Sequence, residues 1–130
     1  MFADKIYILI SGLIVGIILY QSTIVAITVF KNLDEKNTSI FLRKIFPQFF
    51  KAIIFLNAAS LILSFFSFSV IKIIVSFSSI ILALICFYII PKTNKAADEK
   101  NQKKFKNLHS VSVISTMLIL IMNTLIIFLI

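Results

Sequence analysis

Four stretches of this 130-residue chain are long and apolar enough to cross a lipid bilayer. A spanning helix needs about 20 predominantly apolar residues, at about 1.5 Å of rise each. Ile6–Phe30 carries no charge, Phe49–Phe68 only Lys51, and Ile73–Ile90 and Val111–Ile130 none. The hydrophobic residues make up 60% of the chain and the charged ones only 14%, so a water-soluble fold this small could not hide its apolar surface. A disordered chain is excluded for the same reason. Membrane strands would alternate apolar and polar residues, and Ile80–Ile85 does not. The expected fold is therefore all-α: four transmembrane helices in an antiparallel bundle, over approximately 6–30, 49–68, 73–90 and 110–130, in a single domain covering 1–130. At 25 residues the first run exceeds the apolar core of a signal peptide and continues into a charged loop without a small-residue cleavage site, so it reads as a spanning helix.

The two prolines lie at the edges of the apolar runs. Pro47 precedes the second, where the first turn of a helix tolerates it, and Pro91 follows the third as a stop signal. The link between the second and third helices is expected around Ser69–Lys72, short enough to make them antiparallel neighbours. Thr38–Phe46 has apolar residues at helical spacing with Arg43 and Lys44 on another face. It is expected as a short interfacial helix, serving either as a lipid-sensing or partner-binding element or as a connector whose basic residues snorkel. Lys92–Leu108 is polar and basic. It reads as a solvated loop or as an extension of the fourth helix, with Glu99 and Lys103 at i,i+4 spacing.

Basic residues set the expected orientation. The first connection, with the segment just after it, carries Lys31, Lys36, Arg43, Lys44 and Lys51. The second carries Lys92, Lys95, Lys100, Lys103, Lys104 and Lys106. Only Lys5 and Lys72 fall on the other side, so both loops are expected in the cytoplasm and both ends of the chain outside. The net charge of +8 is accounted for by loops facing anionic lipid, and no nucleic-acid motif accompanies it. High Ile, Lys, Asn and Phe usage points to an AT-rich genome, and a bacterial inner membrane is the expected location.

The recognisable chemistry is sparse. No ionisable residue sits at the centre of a run, Cys86 is alone, and the five carboxylates show no ligand spacing, so no catalytic residue, metal site or cofactor is expected. His109 could hold a haem or metal only across a dimer. What remains is a set of small and polar stripes: Gly12, Gly16, Tyr20 and Thr23; Asn57, Ser60, Ser64 and Ser67; Ser76, Ser79, Ala83 and Cys86; Ser112, Thr116 and Asn123. In lipid such stripes are expected to face inward, as packing seams or, along Asn57, Ser60 and Ser64, as a narrow polar path. Counting from the ends of the runs places Gln21 and Asn57 at one depth, which predicts that their amides bond to each other. His109 is expected at headgroup depth, either capping carbonyls on the Pro91 side or binding an anion with Lys106 and Ser112.

Four short patterns resemble a known family. They are Gly16 with Ala26-Ile27-Thr28-Val29-Phe30 and Lys31; Lys44-Ile45-Phe46-Pro47-Gln48-Phe49-Phe50; Pro91 with Lys92; and Phe105, Leu108, His109 and Ser112. In order and spacing, over about Ser11–Thr116, they resemble the transmembrane protein 205-like family, also described as domain of unknown function 4149. Ile27 stands where that family often has Pro, and Thr116 where it often has Asn. The resemblance implies a four-helix integral membrane protein and little about mechanism. The resulting expectation is a non-enzymatic structural or accessory protein. It would work through membrane lipid or a protein partner, including further copies of itself. An oligomeric transporter or channel-like module for a small solute is the alternative, and a haem- or metal-binding protein using His109 a weaker one.

Overall fold

The computed structural model describes residues 2–130. Four long helices make up the chain: α1 (Phe2–Asn32), α2 (Glu35–Phe66), α3 (Val70–Asp98) and α4 (Gln102–Leu129). They run up and down in sequence order, with α4 returning beside α1, and among the described residues there is no strand. Each helix is 28 to 32 residues long, more than a bilayer requires, and the surplus lies mostly toward the two basic connections.

The helix ends are made locally. Asp34 accepts a hydrogen bond from the Asn37 amide at 2.7 Å to start α2, and Asn101 accepts one from the Lys104 amide at 3.2 Å to start α4. At the other ends Phe68 and Lys100 turn the chain with left-handed φ values of 48° and 53°. The following amides, Ser69 and Asn101, reach back to the carbonyls of Ser64 and Ala96. The turn between α2 and α3 therefore occupies Ser67–Ser69. Lys72, expected in that turn, lies in the first turn of α3 and is only 5% exposed.

Neither proline ends a helix. Pro47 lies inside α2 and Pro91 inside α3, so the expected interfacial helix is simply the first part of α2. A proline removes one backbone bond, but a helix in a bilayer can be held in place by its neighbours. Phe46, Phe49 and Phe50 cluster around Pro47, with the Phe49 and Phe50 rings 5.0 Å apart. Beyond both prolines, Arg43 of α2 donates two hydrogen bonds to the Asp98 carboxylate of α3, at 2.6 and 3.2 Å. The 92–108 segment divides between α3 and α4. Glu99, just past the end of α3, accordingly faces Lys95 of that helix at 3.9 Å rather than Lys103 across the turn.

The interior changes character along the bundle axis. Toward the basic connections it is apolar, built from Ile14, Ile18, Phe49, Phe50, Ile53, Ala83, Cys86 and Ile119. Toward the chain termini it is polar, with Ser11, Asn57, Ser60, Ser64, Ser76, Ser79 and Asn123 all at most 1% exposed beside Tyr7 and Ile126.

Candidate functional site

At the terminal end, a charged pair joins α1 to α3. The Lys72 ammonium binds the Asp4 carboxylate, approaches Ser67 Oγ at 3.4 Å, and lies 5.5 Å from the centre of the Tyr7 ring. Tyr7 Oη donates to the Lys72 carbonyl at 3.3 Å and shares a hydrogen bond with Ser76 Oγ at 3.1 Å. Nothing in the local sequence signals this network, because Asp4 and Lys72 are 68 positions apart.

Deeper in the interior, Asn123 of α4 donates to Ser79 of α3 at 3.3 Å and to its own helix at Ile119. Asn57 and Ser64 donate back to the carbonyls of Ile53 and Ser60. Three buried oxygens remain without a partner among the described residues: Ser11 Oγ, Asn57 Oδ1 and Ser60 Oγ. Ser112 is half-buried, and its carbonyl receives Thr116 Oγ1 at 2.7 Å and the Cys86 thiol at 3.8 Å.

The stripe on α1 is the exception. Gly12, Gly16, Tyr20 and Thr23 are exposed, and the buried face of this helix is Tyr7, Ser11, Ile14, Ile18, Gln21 and Val29. A Cβ added at Gly12 or Gly16 would meet nothing within 4 Å, so these glycines are not a packing seam inside the bundle. They form one wall of a groove of about 600 Å³, whose other wall is Phe41, Ile45, Gln48 and Phe49 of α2. The groove opens sideways and is almost wholly apolar. Tyr20 and Gln21 complete it where α1 widens into a π-helical turn over Tyr20–Val25. There the Ala26 amide bonds to the Gln21 carbonyl five residues back, while Thr23 Oγ1 takes the Leu19 carbonyl at 2.6 Å.

Gln21 does not pair with Asn57. Its amide nitrogen is buried with no partner among the described residues, and the side chain lines the groove beside Gln48. Asn57 lies nine residues further along α2, about 14 Å away in depth. The expected pairing fails because it equated the ends of the apolar runs with the bilayer boundary, whereas α1 overhangs toward the first basic connection. His109 is likewise not at a helix end. It lies two turns inside α4, exposed, with its ring stacked on Phe105 at 5.8 Å. The capping role is thereby removed, since α4 starts at Gln102 and His109 has ordinary helical neighbours on both sides. Among the described residues no group of three His, Cys, Asp or Glu side chains converges as a metal site would require.

A bundle of four apolar helices, each long enough to cross a membrane, with polar residues turned inward and Ile, Leu and Phe outward, defines a small multi-pass integral membrane protein. Residues 9–102, most of the chain, match the family described as Domain of unknown function (DUF4149), and the chain belongs to that family. No curated protein and no solved structure matches it.

Proposed function

We propose that this protein is a non-enzymatic accessory component of a bacterial inner membrane, working through lipid or a neighbouring chain held against its flank. Both basic connections face the cytoplasm in this reading, where their lysines meet anionic lipid. One observation carries the reading. The polar interior is sealed, with Asn57, Ser60 and Ser64 at most 1% exposed, while the roomy groove opens sideways toward lipid. A solute path would need the reverse arrangement. In sealed vesicles the purified protein should leave permeability to ions, sugars and amino acids unchanged. Isolated in mild detergent, it should retain a reproducible companion, whether lipid, another chain or further copies.

A transporter remains the second reading, favoured by the three unpartnered oxygens of Ser11, Asn57 and Ser60. They occupy comparable depths on α1 and α2 and would suit a polar solute in transit. Solute flux that rises with protein and disappears in Asn57→Leu would establish this reading in place of the first. A haem or metal protein using His109 would require two copies to bring two outward-facing rings together. An absorption spectrum of the purified protein tests it.

A further inference from the structure

We propose that the groove between α1 and α2 is a binding site for one acyl chain of an ester-linked anionic glycerophospholipid, drawn from the leaflet that faces the basic connections. This rests on the accessory reading in taking the flank, rather than the interior, as the working surface.

The first observation is an unmet hydrogen bond. Gln21 is only 8% exposed and lines the groove, yet its amide nitrogen has no partner among the described residues. A buried amide N–H in an apolar setting demands an acceptor. An occupant that presents a carbonyl or similar oxygen to Gln21, whose amide need only rotate toward the groove to meet it, and that is apolar elsewhere answers this demand, because the rest of the lining is Gly, Leu, Ile, Val and Phe apart from Tyr20 and Gln48.

The second observation is position. With the Asp4–Lys72 pair marking one boundary, Gln21 lies 17 residues along α1, about 26 Å away. The hydrocarbon core is about 30 Å thick. Gln21 thus sits about 4 Å inside the opposite boundary, within side-chain reach of the level at which glycerolipid acyl esters lie. Gln48, exposed, stands beside it. From Gln21 back to Gly12 the groove runs nine residues, about 14 Å, which matches one leaflet of hydrocarbon.

The third observation is shape and charge. Gly12 and Gly16 leave open space where any side chain would intrude, giving a trough wide enough for a methylene chain. A volume of about 600 Å³ falls within the range of ligand sites. On the side of the basic connection, exposed Lys44 precedes the lining residue Ile45 in α2, and Lys31 and Lys36 flank the turn between α1 and α2, so an anionic headgroup is the complementary one.

The test uses the full chain in vesicles of phosphatidylcholine doped with phosphatidylglycerol bearing a photoreactive group near the end of one acyl chain. Four probes are compared: the ester lipid, its ether-linked twin, and the corresponding phosphatidylcholines. The wild-type chain should be labelled around Gly12–Ile17. Phosphatidylglycerol should label more strongly than phosphatidylcholine, and ester more strongly than ether by about three-fold, the worth of one interhelical-type hydrogen bond in a bilayer. Gln21→Leu should keep the labelling but lose the ester preference. Gly16→Leu, which fills the trough without meeting a neighbour at its Cβ, should abolish it. The ester–ether comparison on the wild-type chain needs no variant to fold. Equal labelling by ester and ether, equal labelling by the two headgroups, or disulfide-linked dimers of Gly16→Cys in place of lipid labelling would each overturn the site. Those results would leave the accessory reading standing, since that reading is tested by solute flux and by retention of a companion of any kind.

Discussion

The two halves of the bundle interior are held together by different physics. Toward the chain termini, α1, α3 and α4 meet through Tyr7, Ser76, Ser79, Asn123 and the Lys72–Asp4 pair, all of them polar contacts with defined partners. Toward the basic connections all four helices meet through Ile, Phe and Ala side chains, and between the helices the described residues show only the weak bond from the Cys86 thiol to the Ser112 carbonyl before the exposed Arg43–Asp98 pair outside the apolar core. Lipid is as apolar as leucine, so burying a side chain among others in a bilayer gains only close packing. The polar half therefore fixes register, because its donors and acceptors fit one alignment. The apolar half fixes shape, and it is beside this half that the groove opens.

The comparison is most exposed to disproof at Phe50, which is 3% exposed in the apolar half. Phe50→Ala removes ring contacts to Phe46 and Phe49 and leaves a cavity the neighbours cannot close. With no transfer energy to lose against lipid, the cavity alone costs about 2.5 kcal/mol. Thermal unfolding in mild detergent measures it, and Phe50→Leu should recover most of the loss. If Phe50→Ala were harmless, packing would not be what holds that half.

At the polar end, Lys72→Ala should cost about 2 kcal/mol. That is below the usual figure for breaking a buried pair, because the Asp4 side chain keeps 24% of its surface exposed and can be solvated. Lys72→Met restores the stem without the charge and separates packing from electrostatics. A full rescue by Met would mean the ammonium contributes nothing to register. Tyr7→Phe should come next, at about 1 kcal/mol, the worth of a single buried hydroxyl bonded to Ser76 and the Lys72 carbonyl. Ser76→Ala should show a similar cost, and the double variant should cost less than the sum of the two.

The two halves also differ in how much of them the sequence discloses. A serine or asparagine in an apolar run has only one comfortable direction in lipid, so the burial of Asn57, Ser60, Ser64, Ser76 and Ser79 follows from their spacing. Glycine lacks this property. With no side chain, Gly12 and Gly16 are equally compatible with a tight seam and with an open trough, and only the neighbouring helix decides which. The signal that could have resolved it was Gln21, one position off the glycine stripe: an amide that must avoid lipid turns the glycines outward. The prolines misled for a related reason. Pro47 and Pro91 break helices in water, but here the Phe cluster and the Arg43–Asp98 pair carry α2 and α3 through them. The Asp4–Lys72 pair could not be read at all, since a lysine near a short turn looks like a solvated one.

The smallest effect is expected at the Arg43–Asp98 pair. Its geometry is good, with two hydrogen bonds at 2.6 and 3.2 Å, and it joins the two helix extensions beyond the prolines. Yet the side chains are 35% and 62% exposed, so water and salt compete for both charges. Exposed pairs of this kind contribute little even when well formed. Arg43→Ala should therefore shift the unfolding midpoint by about 1 °C or less, and that shift should vanish at high salt. Lys72→Ala should keep most of its effect under the same conditions, because Lys72 is shielded from the solvent ions. A large, salt-resistant loss on Arg43→Ala would show that the extensions are part of the folded core, and that the basic-loop half relies on a charged clamp as well as on its phenylalanines.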